Sequence, residues 1–163
     1  METKNKNRFI PPSLAEKVRP YGTPKFNSLS VNEETLEWYG IQSRLKTIYE
    51  GISYDAIETI AQELNRPVKF VLSILRIPQT TYNKKKKEQA HLDLRDGELI
   101  LLIAELIAYG KEVFNHEDEK FQRWMEKPNI ALGGRIPETL LDTASGIEEL
   151  KRILNSIDYG IFS

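Results

Sequence analysis

The chain has 163 residues, a formal net charge of −1 and no cysteine, which excludes disulfide bonds, thiolate metal sites and a cysteine nucleophile. No apolar run approaches the roughly 20 residues of a membrane-spanning helix, and residues 1–8 are polar and lack the apolar centre of a signal peptide. The length suits one domain, or a small domain with an added arm, and we expect a cytoplasmic protein without a membrane partner.

The charged residues are distributed unevenly along the chain. Residues 66–95 carry a net charge of +6, whereas residues 96–163 carry a net charge of −6. A basic segment within an otherwise acidic chain favours a polyanion as its partner.

We interpret residues 1–40 as an N-terminal arm. Four prolines interrupt any long helix there, and the apolar residues follow no period. Partial disorder and docking on another surface are both compatible with this composition. A helical pattern begins near Glu33 and runs to Tyr49, with Gly51 as its stop. Because Gly40 weakens the middle of this pattern, one helix or two short helices fit it.

Residues 41–95 are predicted to contain three short helices in succession. The first two have apolar residues at the spacing of one helical face, and the third, from Gln79 to about Glu88, has almost none beyond Tyr82. Four residues mark the ends of these helices. Ser53 can cap the first helix, and Asn65 can adopt the left-handed conformation that ends it. Pro67 and Pro78 open the second and third helices. Two apolar-faced helices followed by a polar, lysine-rich helix are typical of a helix-turn-helix DNA-binding region.

Residues 96–163 are also predicted to be helical. The first helix has an apolar face so wide that we expect neighbours to cover it on more than one side. The residues of this face are Leu99, Leu102, Ile103, Leu106 and Ile107. A second helix contains Trp124 and ends before Pro128, and Ser145 with Glu148 fits a capping box that opens the last helix. No run of residues alternates convincingly enough for a strand, so the predicted fold class is all-α.

The third short helix carries the candidate DNA-binding residues. A recognition helix lies in the major groove, where hydroxyl and amide side chains contact base edges and lysines contact phosphates. The residues with this chemistry are Gln79, Thr80, Thr81, Asn83, Lys84, Lys85, Lys86 and Lys87. The alternative is an exposed helix end whose lysines interact with the helix dipole. The two preceding helices favour DNA binding, and Tyr82 is interpreted as an anchor into the core.

Other candidate sites have less support in the sequence. His116 lies in a solvated acidic turn, so we expect no metal there, and Gly133-Gly134 is too short for a phosphate-binding loop. No pattern of nucleophile and base or of paired carboxylates stands out, and we predict neither an enzyme nor a cofactor. The tail, Tyr159–Ser163, is unusually apolar for a chain end. It either folds back onto the last helix or inserts into a partner, and the residues favour neither.

Several short motifs in the chain resemble those of a known family. They are Gly51-Ile-Ser53, Trp124-Met-Glu-Lys-Pro128-Asn129, Leu132-Gly133-Gly134 with Pro137, Gly146, and the ending Tyr159-Gly160-Ile161. Together with the helix-turn-helix pattern, they resemble the Xre/MbcA/ParS-like antitoxins, the partners of RES-domain toxins in bacterial type II toxin–antitoxin operons. The resemblance covers roughly residues 40–163.

The resemblance implies a helix-turn-helix core in residues 41–95 and a C-terminal toxin-binding helical domain in residues 96–163. It implies an antitoxin that occludes the active site of a cognate RES toxin, an enzyme that consumes NAD⁺ or uses it for ADP-ribosylation. It also implies a transcription repressor that binds operator DNA as a homodimer. By position, the toxin-binding residues are Leu132, Gly133, Gly134, Arg135, Pro137, Tyr159, Gly160, Ile161, Phe162 and Ser163.

Two departures from the family pattern affect what the resemblance implies. Relatives tend to have arginines where this chain has Lys84 and Lys85, which weakens an expectation of bidentate guanine recognition. Residues 1–40 have no counterpart whose role can be carried over. The alternative function is a stand-alone helix-turn-helix transcriptional regulator whose C-terminal half is a dimerisation or ligand domain.

Overall fold

The computed structural model describes residues 25–160, which form a β-hairpin followed by seven α-helices. The strands are β1 (Phe26–Val31) and β2 (Glu34–Tyr39), and the helices are α1 (Gly40–Glu50), α2 (Ala56–Glu63), α3 (Val68–Leu75), α4 (Gln79–Lys87), α5 (Leu94–Val113), α6 (Asp118–Glu126) and α7 (Ala144–Asp158). Two short 3-10 turns, Ile130–Leu132 and Pro137–Leu140, lie between α6 and α7. The predicted toxin contacts of Ile161, Phe162 and Ser163 lie outside the described residues, as does the first part of the predicted arm.

The β-hairpin corrects the prediction of an all-α fold, because the described residues are mostly helical but include a two-stranded antiparallel sheet. Val31 pairs with Glu34, which leaves a two-residue turn in which Asn32 has φ 55°. Asn32 also donates a hydrogen bond of 2.8 Å from Nδ2 to Asp55 Oδ2 just before α2. The helix that the sequence placed from about Glu33 begins only at Gly40.

Alternating apolar residues explain why this segment forms strands. Leu29 and Val31 on β1 and Trp38 on β2 are buried, Leu36 packs against the same core, and the residues between them face solvent. Side chains on a strand point alternately to its two faces, so these four residues share one face. Because each strand contributes only two inward apolar residues, the alternation along it is too short to be distinguished from a helical pattern.

Helices α2, α3 and α4 lie where the sequence predicts three short helices. Asn65 has φ 52° after α2, as expected of a residue that ends a helix in the left-handed conformation. Ser53 is not the N-cap of α2; its Oγ accepts a hydrogen bond of 3.2 Å from the Asp55 amide, ahead of the helix. The chain on either side of the three helices is joined by a 2.8 Å hydrogen bond from the Leu92 amide to the Ile52 carbonyl oxygen.

Helix α5 is the central element of the core, as its apolar sequence predicts. It contacts β1, α1, α2, α6 and α7. All five residues of the predicted apolar face are buried, and so are Ile100 and Leu101 on the flanks of that face. The prediction that neighbours cover this helix on more than one side is confirmed.

The last helix is capped by a residue that the sequence analysis did not select. Thr143, not Ser145, is the N-cap of α7, and its Oγ1 accepts a hydrogen bond of 3.0 Å from the Gly146 amide. Gly146 itself lies against backbone, since a Cβ at this position would be 2.1 Å from the carbonyl oxygen of Leu140. A glycine is therefore required where α7 begins, because the preceding 3-10 turn approaches it too closely for a side chain.

Candidate functional site

Helix α4 presents a polar surface and is anchored by a single aromatic residue. Tyr82 is buried, as predicted, and its hydroxyl donates a hydrogen bond of 2.9 Å to Glu58 Oε1 on α2. The polar residues predicted to contact bases are all exposed; they are Gln79, Thr80, Thr81 and Asn83. Gln79 Nε2 donates to Asn83 Oδ1 at 3.0 Å, one turn further along the helix. Hydroxyl and amide groups are thus available to a partner at the N-terminal half of α4.

The four lysines of α4 are not equivalent in the structure. Lys86 turns inward and forms an ion pair with Glu58, and its Nζ lies 3.6 Å from Asp55 Oδ1. The hydrogen bond from Lys86 is the main reason why the pKa of Glu58 is lowered, and the same bond raises the pKa of Lys86. Lys84 and Lys85 lie only at the distance limit of an ion pair with Glu88, at 4.0 and 3.9 Å.

Lys87 is exposed and forms no ion pair with any residue between 25 and 160. Three lysines of α4 can therefore turn toward a polyanion at little cost, because surface ion pairs at the distance limit contribute little. Lys86 differs, since contact with a phosphate would require it to leave Glu58. The sequence alone predicted the same role for all four lysines, because the partner of Lys86 lies 28 positions away in the chain.

The loop between α6 and α7 is closed by backbone hydrogen bonds. The Asn129 amide donates to the Arg135 carbonyl oxygen, and the Gly134 amide donates to the Asn129 carbonyl oxygen, both at 2.9 Å. Asn129 also accepts from the Ala131 amide through Oδ1 at 2.9 Å. Gly133 and Gly134 have φ values of 64° and 83°, which explains the glycine pair, because side chains disfavour this region.

The predicted toxin-binding residues of this loop divide into supporting and exposed groups. Leu132 is half-buried against the core and Pro137 is buried, so these two hold the loop in place. Gly133, Gly134 and Arg135 are exposed. Sequence reasoning missed another relevant residue of this loop, Ile130, whose only signal was a large apolar side chain two positions before Leu132.

A polar seam joins this C-terminal region to the turn between α2 and α3. Arg66 in that turn donates to Glu138 Oε2 from Nη2 at 2.6 Å and from Nε at 3.1 Å, and its Nη2 lies 3.4 Å from Glu126 Oε1. The hydrogen bonds to Glu138 raise the pKa of Arg66. Lys111 on α5 adds an ion pair of 2.6 Å with Glu63 at the end of α2.

Near the end of α7, Tyr109 on α5 connects several elements. Its hydroxyl lies 3.3 Å from Asn155 Oδ1, and Lys25 Nζ lies 4.3 Å from the centre of its ring. Burial, followed by the nearby charge of Asp158, raises the pKa of Tyr109 to about 12. Tyr159 is exposed, and Gly160 turns the chain with φ 65°. These two are the only members of the predicted tail within the described residues.

Two further features are absent from the part of the chain that the structure describes. No three histidine, aspartate or glutamate side chains between residues 25 and 160 converge as the ligands of a metal ion do. None of the helices within the same range combines the length and the hydropathy that a transmembrane segment needs. His116 lies exposed in the turn after α5, with φ 60°.

Comparison with known proteins relates the C-terminal region of the chain to a family. Residues 110–160 match the family model of the antitoxin Xre/MbcA/ParS C-terminal toxin-binding domain. A curated "Antitoxin Xre" of Yersinia enterocolitica is 25% identical over 117 residues, which are 72% of this chain and 79% of that protein. An "Antitoxin Xre" of Photorhabdus laumondii is 26% identical over 93 residues, 57% of this chain and 63% of its own length. The resemblance predicted from the sequence is thus confirmed: the chain is similar to the Xre/MbcA/ParS antitoxins, and the similarity includes their C-terminal toxin-binding domain.

Proposed function

We propose that this protein is an antitoxin that neutralises a cognate toxin by direct binding and has no catalytic activity of its own. The observation that carries the proposal is the match of residues 110–160 to a toxin-binding domain. The geometry of that region supports it, because a closed loop with exposed small residues is presented between α6 and α7. The names of the two Xre relatives agree with this function.

The toxin that we propose as the partner is a RES-domain enzyme that consumes NAD⁺ or uses it for ADP-ribosylation. This step rests on the resemblance of the chain's motifs to the Xre/MbcA/ParS-like antitoxins, whose partners are RES toxins. Occlusion of the toxin's active site is the mode of neutralisation that the resemblance implies. Within the chain we assign this role to residues 96–163, including the loop before Pro137 and the tail that starts at Tyr159.

The second proposed activity is repression of the antitoxin's own operon through operator DNA. The proposal is supported by the succession of three short helices, α2, α3 and α4, and by the hydroxyl, amide and lysine side chains that α4 exposes. We propose residues 41–95 as the DNA-binding region and a homodimer as the form that binds. If the chain bound DNA but no toxin, the alternative of a stand-alone regulator would replace the antitoxin proposal.

Co-purification tests the proposed function most directly. The tagged chain is co-expressed with the protein encoded by the adjacent reading frame, carried as an inactive variant so that the cells survive. We expect a stable complex, and we expect the wild-type neighbour to be toxic unless the antitoxin is present. A neighbour that is neither bound nor toxic would contradict the antitoxin function.

Deletion of the tail is expected to separate neutralisation from DNA binding. Buried aromatic residues often dominate interface energies, so Tyr159 and Phe162 are the anchors that we propose. Without residues 159–163, we expect the melting temperature and operator affinity to remain nearly unchanged while rescue of toxin-expressing cells is lost. A lower melting temperature with full rescue would show instead that the tail packs on its own helix.

Salt dependence of DNA binding tests the division of the lysines on α4. Each phosphate contact contributes a slope of about −0.9 in log K against log salt concentration. Replacing Lys84, Lys85 and Lys87 by alanine should therefore flatten the slope by up to about 2.7 units, calculated as three such contacts. Lys86→Ala should change the slope little, because Lys86 is paired with Glu58, and should lower the melting temperature.

Lys120→Ala on α6 is the matched control, since this lysine is exposed and lies outside residues 41–95. We expect the slope of this variant to equal that of the parent protein. An unchanged slope in the triple variant would contradict the assignment of α4 to the phosphate backbone. A loss of slope from Lys86→Ala alone would show that this lysine leaves Glu58 when DNA binds.

A further inference from the structure

Ile130 is the most exposed of the large apolar side chains in the described part of the chain, at 94%, ahead of Tyr49 at 70%. Isolated apolar side chains are common on protein surfaces, so exposure by itself does not indicate a function. Ile130 differs from an isolated exposed residue in the hydrogen bonds that hold its backbone, in the residues that surround it and in its position along the chain.

The backbone around Ile130 is held at both ends of its short 3-10 turn. The Leu132 amide donates to the Asn129 carbonyl oxygen at 3.1 Å, and the Gly133 amide donates to the Ile130 carbonyl oxygen at 2.9 Å. Leu132 also packs against the core below. The side chain of Ile130 is therefore presented by an ordered turn, which reduces the entropy lost when a partner covers it.

The neighbours of Ile130 leave space for a close approach. Ala131, Gly133 and Gly134 are exposed and small, and a Cβ at either glycine would have no atom within 4 Å. Ile130 thus projects from a surface of small residues, a shape that fits a concave pocket. Arg135, also exposed, places a positive charge at the edge of this surface in the otherwise acidic C-terminal segment.

We propose that Ile130 is an anchor of the toxin interface and fills an apolar pocket on the toxin, with an acidic group at the pocket rim opposite Arg135. This inference rests on the antitoxin function proposed above. The toxin is the proposed occupant because Ile130 lies within residues 110–160, the part of the chain that matches a toxin-binding domain. Anchors of this kind lie in desolvated pockets and carry a large share of the binding energy.

The test compares two variants that place the same charge on an exposed isoleucine. Ile130→Asp introduces it in the loop, and Ile41→Asp introduces it on α1, where the side chain is 60% exposed and outside the matched region. The probe is the inactive variant of the protein encoded by the adjacent reading frame. Because an anchor contributes about 2 kcal/mol or more, we expect Ile130→Asp to weaken binding about 30-fold or more.

Four further measurements make the result specific. The melting temperature of Ile130→Asp should match that of the parent, since the Ile130 side chain is 94% exposed. Ile41→Asp should bind the probe as the parent does, and Ile130→Val should retain most of the affinity because it keeps the apolar shape. Arg135→Glu should weaken binding less than Ile130→Asp and make it less dependent on salt, as expected of a charge at the interface rim.

The outcomes distinguish this inference from the proposed function. If the parent protein does not bind the probe, the antitoxin proposal fails before Ile130 is tested. If the parent binds and Ile130→Asp binds equally well, the role of Ile130 is wrong and the antitoxin function stands. Equal weakening of probe binding by Ile41→Asp would also overturn the inference. So would a lower molecular mass of free Ile130→Asp in solution, because that result assigns Ile130 to a contact between copies of this chain.

Discussion

Replacing Glu105 by alanine is expected to lower the free energy of unfolding by about 3 kcal/mol, because it leaves two mostly buried cations without their common partner. Glu105 on α5 accepts hydrogen bonds from Trp38 Nε1 at 2.7 Å, Arg44 Nη1 at 3.0 Å and Lys151 Nζ at 2.6 Å. These partners belong to β2, α1 and α7, so one carboxylate joins the hairpin to the last helix. We place the effect at the low end of the usual range, since the three charged groups retain some exposure.

The pH dependence of stability provides a second measurement at the same site. Burial would raise the pKa of Glu105, but Lys151, Trp38 and Arg44 together lower it. A carboxyl group with a lowered folded-state pKa stabilises the protein above its unfolded value of about 4.3, and this contribution is lost as the pH falls through the folded pKa. The stability difference between the parent and Glu105→Gln should therefore shrink below about pH 4.

Glu112→Ala on the same helix is the matched control, because Glu112 forms an exposed ion pair with Lys25. Exposed pairs contribute about 0–1 kcal/mol, so urea unfolding should separate the two alanine variants clearly. Equal stability of Glu105→Ala and Glu112→Ala would show that the cluster around Glu105 is open to water in solution.

Replacing Ile103 by alanine is expected to lower the free energy of unfolding by about 2–5 kcal/mol, since the change leaves a cavity in the centre of the core. Ile103 lies in the middle of α5 and has no exposed surface. A domain of this size has a net stability of about 5–15 kcal/mol, so the variant should melt at a markedly lower temperature.

Leu94→Ala, at the start of the same helix, is the control, because Leu94 is 57% exposed. It removes a comparable volume from a position where little surface is buried, and its effect on the melting temperature should be small. If Ile103→Ala and Leu94→Ala melted at the same temperature, the centre of α5 would have to be accessible and available to a partner.

The sequence by itself determined the helices from Ala56 to Lys87 and the central helix α5. Their signals are local: apolar residues recur at helical spacing, and prolines or residues such as Asn65 mark the ends. A helix satisfies its backbone hydrogen bonds within one segment, so neighbouring residues carry most of the information about where it begins and ends. Short motifs, among them Trp124–Asn129 and Leu132–Gly134, together with the helix-turn-helix pattern, also predicted the similarity to the Xre/MbcA/ParS antitoxins.

Only the tertiary structure decided features whose cause lies far away in the chain. The hairpin forms because Leu29 and Trp38 are covered by the core, although each strand alone has too few apolar residues to indicate its structure. Lys86 is separated from the other lysines by its ion pair with Glu58 on another helix. Ile130 is exposed and Gly146 is indispensable because of how the turns between α6 and α7 are placed. Burial and close approach depend on which elements meet, and residue order along one segment does not contain that information.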